Sequence, residues 1–189
     1  MSGMVTALST GLLVAALGPL APSSVVSVGR PADGRGCHID VRAEIDAPLE
    51  DVYAVVAELA RYSEWFPTLQ SAQQLSAAEY EVQFHLPWPL KRVRERIVVA
   101  EERSPQVIVI RWRQIDGDFA RNDGTWTLHG AGPGRTVVRY ENDVQFRRWV
   151  PGWLIARAER RVAPHMIESI RQRANDHARS RGLAARASR

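Results

Sequence analysis

Two polar residues interrupt otherwise apolar faces, and they are where chemistry would sit. Val93, Glu95, Ile97 and Val99 alternate with arginines at 92, 94 and 96, a strand pattern that puts Glu95 on the apolar side. Val138, Tyr140, Asn142, Val144 and Phe146 alternate in the same way with Arg139, Glu141, Asp143 and Gln145. A buried carboxylate or amide without a partner costs roughly 2–7 kcal/mol, so each needs a reason to be there. In one reading Glu95, Tyr140 and Asn142 orient a ligand carbonyl or hydroxyl, or move a proton, and they are the candidate catalytic residues. In the other, Glu95 pairs with Arg94 or Arg111, or a one-residue register slip turns it to water.

Aromatic rings supply the second kind of chemistry, flat apolar surfaces that stack on a ring-bearing ligand. Trp65, Phe66, Phe84, Trp88, Trp112, Trp126, Tyr140 and Phe146 are placed around a binding site, with Asn142, Met166 and Ile170 completing the set. Ordinary core packing is the competing reading for each. Trp88 lies between Pro87 and Pro89 and is expected at a portal. Met166 and Ile170 are expected as a helical floor.

Metal and nucleophile motifs are absent from the sequence. Histidines at 38, 85, 129, 165 and 177 lack ligand spacing, and the single cysteine, Cys37, excludes an intramolecular disulfide framework or a Cys-rich zinc module. Gly130 to Gly134 closes a hairpin and opens no helix, so it is no phosphate loop. No metal and no cofactor are expected.

The elements that must position these residues follow from periodicity. The chain has 189 residues, 45% hydrophobic and 24% charged, enough for one cored domain. Ile39, Val41, Ala43 and Ile45 mark a first strand, and Ala47-Pro48 opens a helix with Val52, Val55, Val56 and Leu59 on one side. Further strands follow around residues 80–86, 93–99, 107–112, 126–128 and 138–146. No helical crossovers separate them, which excludes a parallel doubly wound sheet. A terminal helix from Pro151 to about Arg179 carries Leu154, Ala158, Val162, Met166, Ile170 and Ala174 as a ridge, with Pro164 expected to kink or divide it. The fold class is therefore α+β: a curved antiparallel sheet around a long C-terminal helix, with an apolar cavity left between them.

Residues 1–36 read separately, as an apolar leader and a flexible linker. The run Leu12–Leu17 resembles the core of a secretory signal, with small residues near Ala21 and Ser23, yet no basic residue precedes it. Export to the cell envelope and a cytoplasmic location both stay open. The domain is expected over 37–180, with a basic tail over 181–189. Residues 37–146 hold 12 basic against 17 acidic side chains, whereas 147–189 hold 11 arginines against 3 acids. That basic end suggests a solvated helix face or an anionic membrane surface. Its arginines lack interleaved aromatics, so nucleic acid is not indicated by stacking, although ribosome or RNA association is a third functional reading.

Three patches carry a resemblance. Tyr62-Ser63-Glu64-Trp65-Phe66-Pro67, Gly117-Asp118-Phe119 with Gly124-Thr125-Trp126, and Val150-Pro151 lie in a chain whose order of elements looks like that of the START-like, polyketide cyclase/dehydrase superfamily. Among its branches they look most like the coenzyme-Q-binding START-like family. The similarity covers roughly 37–178, and the leader differs from the Arg-rich transit peptides of mitochondrial members. The resemblance implies a helix-grip fold and a binding or carrier role for a lipid, quinone or polyketide-like molecule. An aromatase/cyclase-type enzyme using Glu95, Tyr140 and Asn142 is the alternative.

Overall fold

The computed structural model describes residues 25–29, 36–86, 91–147 and 150–187. Eight antiparallel strands form one sheet: β1 (Val25–Gly29), β2 (Cys37–Ile45), β3 (Leu69–Gln74), β4 (Glu79–Leu86), β5 (Lys91–Arg103), β6 (Val107–Gly117), β7 (Phe119–Gly130) and β8 (Thr136–Phe146). Their order across the sheet is β1-β2-β8-β7-β6-β5-β4-β3. After β2, helix α1 (Leu49–Ala57) and a 3-10 helix (Leu59–Glu64) carry the chain to the far edge. The meander from β3 to β8 then returns strand by strand to pair with β2. Helix α2 (Gly152–Ala187) completes the helix-grip architecture.

Alternation decides which face is buried. Ile39, Val41, Ala43 and Ile45 of β2 are all at most 1% exposed, and Val138, Tyr140, Asn142 and Val144 of β8 face the same side. The outer face is polar and laced with ion pairs, among them Asp40–Arg139, Arg121–Asp143 and His38–Asp143.

Helix α2 departs from the sequence reading in three ways. It is one element through Pro164, which is exposed, so the proline does not divide it; the carbonyl that loses its N–H partner there can be met by water. Burial follows Ala163, Met166, Ile167, Ile170 and Ala174, the 3.6-residue stripe, since a strict four-residue repeat drifts around the helix. The helix also continues beyond residue 180 to Ala187, and Arg181 pairs there with the buried Asp51 of α1. The segment read as a basic tail is thus helical across most of its length.

Both edge strands escaped the sequence reading. Val25–Gly29, inside the stretch read as linker, pairs with β2 from Val25↔Arg42 to Gly29↔His38. Leu69–Gln74 pairs with β4 and carries mostly polar side chains. The apolar leader run and the possible cleavage site lie outside the described residues. Among those described, no helix is long and apolar enough to cross a membrane.

Candidate functional site

The middle strands and the α1 side of the molecule line a partly open hollow of about 160 Å³. Its walls come from β4 to β8, with Ile39 from β2 and Leu69 from β3, and its cover from Val56, Ala57, Leu59, Tyr62, Phe66, Thr68 and Ile155. Ile155, in the first turn of α2, is the described α2 residue that reaches it. The rest of α2 packs on α1, β2 and β1.

Aromatic rings form two connected groups on the walls. The Trp112 and Tyr140 rings stack with centroids 5.6 Å apart, and Trp126 leans on Tyr140 at 4.7 Å. Phe119 meets Phe146 at 5.1 Å and Phe84 edge-on at 5.8 Å. Gly124 makes the first group possible: a Cβ there would lie 2.1 Å from the Trp112 ring. The Tyr62–Pro67 patch folds as a tight turn in which the Trp65 and Phe66 amides both donate to the Tyr62 carbonyl. The Tyr62 hydroxyl donates to the Val56 carbonyl at 2.5 Å, and burial pushes its pKa well above the ordinary value.

Glu95 is 2% exposed and sits in a built cradle. The turn between β6 and β7 clamps onto β5 beside it: Arg94 N donates to Asp118 Oδ2 at 2.8 Å, and Asp118 N donates to Arg94 O at 2.8 Å. Gly117, at φ 137°, lets that turn come close, because a Cβ would lie 2.5 Å from Arg94 O and 2.6 Å from Glu95 Cα. Across the cradle, Asn122 Nδ2 donates to both Glu95 oxygens, at 2.9 and 3.0 Å. Burial pushes the Glu95 carboxyl up to about 8; the Asn122 hydrogen bond opposes this and the Asp123 charge adds to it. Neither Arg94 nor Arg111 is its partner: both project from the outer face, where Arg94 approaches Glu81 and Arg111 binds Glu102.

Phe66, Phe84, Glu95, Trp112, Trp126, Tyr140, Asn142 and Phe146 are thus brought together around one space. Trp65 is buried beside Tyr62 but is not part of the wall. Met166 and Ile170 are buried too, yet they lie away from the hollow, because the middle of α2 rests over β2 and α1. Trp88 lies outside the described residues. Asn122 was missed, although extending the Leu128–Trp126–Gly124 alternation back by one step points it inward. A β-bulge between Phe119 and Arg121 then resets the register and turns Phe119 inward as well.

The outer face brings ligand atoms of His38, Asp40 and Glu141 within 4.8 Å of one another. These groups are already engaged: Asp40 binds Arg42 and Arg139, Glu141 binds Arg139, and His38 binds Asp143. Burial alone would raise the Asp40 pKa, but the two guanidinium groups outweigh it and hold the carboxyl below its ordinary value.

Residues 45–171 match the family described as polyketide cyclase / dehydrase and lipid transport. The chain belongs to that family. Solved structures agree on the fold. Human STARD10 superposes with a TM-score of 0.69 at 16% identity, covering 87% of this chain and 74% of that one. Human StAR-related lipid transfer protein 5 gives 0.68 at 9% identity, covering 84% and 85%. The Zhui aromatase/cyclase from Streptomyces sp. R1128 gives 0.59 at 16% identity, covering 77% and 97%. At such identities the likeness speaks to the fold alone. No curated protein sequence matches the chain.

Proposed function

We propose that this protein binds and carries a compact hydrophobic molecule in the hollow between the sheet and the helices. The observation that carries the reading is an interior space walled by Trp112, Trp126, Tyr140, Phe119 and Phe146 in a chain of this family. Size narrows the class. An apolar cavity of about 150 Å³ takes benzene, whereas drug-sized ligands fill roughly 300–1,000 Å³. A hollow of this volume therefore suits a one-ring guest, and a quinone with a long isoprenoid tail, as the coenzyme-Q-binding resemblance implies, would extend beyond it. Native mass spectrometry of the purified chain tests the reading. A retained small apolar molecule that leaves on denaturation is the expected result; protein with no adduct that also fails to take up added one-ring compounds refutes it.

A second reading, a cyclase-type enzyme, draws on Glu95. A buried carboxyl pushed up to about 8 still holds its proton at neutral pH, the state a general acid needs. Replacing Glu95 with Gln separates the two: a carrier keeps its ligand, whereas an enzyme keeps its ligand and loses turnover. The basic α2 also makes an anionic membrane surface a fitting place for ligand exchange, tested by co-sedimentation with anionic against neutral vesicles.

A further inference from the structure

The hollow has a polar pole with spare acceptors. Asn122 and Asn142 are 5% and 9% exposed, both line the hollow, and the Oδ1 of each is buried without a hydrogen-bond partner. They are diagonal neighbours on one face, since Asn122 pairs with Val144 and Asn142 with Gly124. Glu95 completes the group from β5, held by Asn122 Nδ2. Buried amide oxygens are rarely left unmet in folded proteins, and two in one apolar space call for a donor from outside the chain.

We propose that Glu95, Asn122 and Asn142 recognise the hydroxyl group of a compact aromatic ligand, an inference that rests on the hollow being the binding site. The choice of a hydroxyl follows from the inventory of donors and acceptors. A hydroxyl donates its single proton to one Asn oxygen, or shares it between the two, and accepts one from the protonated Glu95 carboxyl. A ligand carbonyl only accepts, and would leave both Oδ1 atoms unmet. An ammonium would turn the pole into a buried ion pair, with a desolvation penalty that a neutral hydroxyl avoids. A carboxylate brings only acceptors, with a negative charge that the neutral pole does not offset. The aromatic body follows from the Trp112–Tyr140 stack and from a volume of about 160 Å³.

Benzyl alcohol and ethylbenzene differ by one hydroxyl in place of a methyl and test the inference by calorimetric titration of the full chain. Wild type is expected to bind both. Asn142→Leu is expected to weaken benzyl alcohol about tenfold while ethylbenzene changes by less than about twofold. Glu95→Gln, whose amide still donates, is expected to keep benzyl alcohol within about threefold. Ethylbenzene binding shows in each variant that the hollow is intact. If the Leu variant does not fold, nuclear Overhauser contacts in wild type from the alcohol's methylene to the Asn122 and Asn142 amide protons make the same test, and their absence overturns the inference. Ethylbenzene binding with no uptake of the alcohol, or an Asn142→Leu variant that treats the two compounds as wild type does, also overturns it and leaves the hollow as an apolar site. Failure of both compounds to bind wild type up to their solubility overturns the binding-site reading itself.

Discussion

Glu95 on β5 takes both of its hydrogen bonds from a single group, the Nδ2 of Asn122 on β7, across the end of the intervening β6. An amide can satisfy a carboxyl there, but it brings no charge to offset ionisation. The carboxyl therefore resists losing its proton, and the pair behaves as a neutral polar plug in an apolar wall.

The first prediction is a pH dependence with a defined sign. Burial raises the Glu95 pKa from 4.5 to about 8, so the folded chain holds a proton that the unfolded chain loses. Its contribution is fully present below pH 4.5 and is lost progressively as pH rises towards 8. Glu95→Gln removes this dependence. Urea melts should show the variant gaining on wild type between pH 5 and pH 8 by a few kcal/mol, on the order of 3. Equal slopes for the two proteins across that range would mean that Glu95 ionises freely in the folded state.

Gly117 holds the turn that makes the cradle. Alanine there meets Arg94 O at 2.5 Å and must also adopt φ 137°, where a side chain is strained. Gly117→Ala should cost more than about 2 kcal/mol in a urea melt. Gly132, also at positive φ (133°), has nothing within 4 Å of its Cβ position, so the same change there should cost less. Similar losses at the two sites would show that backbone conformation alone sets the cost and that close approach to β5 contributes nothing.

Tyr62 anchors the aromatic turn through its hydroxyl, which meets both the Val56 carbonyl and Trp126. Tyr62→Phe keeps the ring and removes the hydroxyl that donates to Val56 O at 2.5 Å, leaving a buried carbonyl unmet. A loss of about 1–3 kcal/mol is expected, read by thermal or urea unfolding. A variant as stable as wild type would place water at that carbonyl.

These residues also show how far sequence patterns reach. The inward faces of β2 and β8 follow directly from alternation, because a half-buried strand must separate apolar from polar side chains. The same rule put Glu95 and Asn142 inside. It could not name the partner of Glu95, since Asn122 meets it only where β6 ends and the Gly117-Asp118 turn folds back on β5. Edge strands are the opposite case. Leu69–Gln74 has too few apolar residues to show a period, and its register comes from its neighbour β4. The floor assigned to Met166 and Ile170 failed for a geometric reason: burial can be read from a helical stripe, but the element beneath that stripe cannot.

The last prediction separates a hollow that serves a ligand from one left by imperfect packing. Val99 lines the hollow from β5, opposite Trp112 in the ladder, and is only partly buried. Val99→Phe places added ring volume in a space of about 160 Å³. If the space is empty in the free protein, filling it should leave stability unchanged or raise it by about 1 kcal/mol, because new contacts replace a void. Binding of ethylbenzene should then fall at least about tenfold, since guest and side chain compete for one volume. Unfolding curves and calorimetric titration on the same sample read both effects. Lost binding with retained stability marks the hollow as the ligand's place. Retained binding would move the ligand elsewhere on the molecule, and a stability loss of about 2 kcal/mol or more would mean that the wall is too tightly packed to admit a guest without moving.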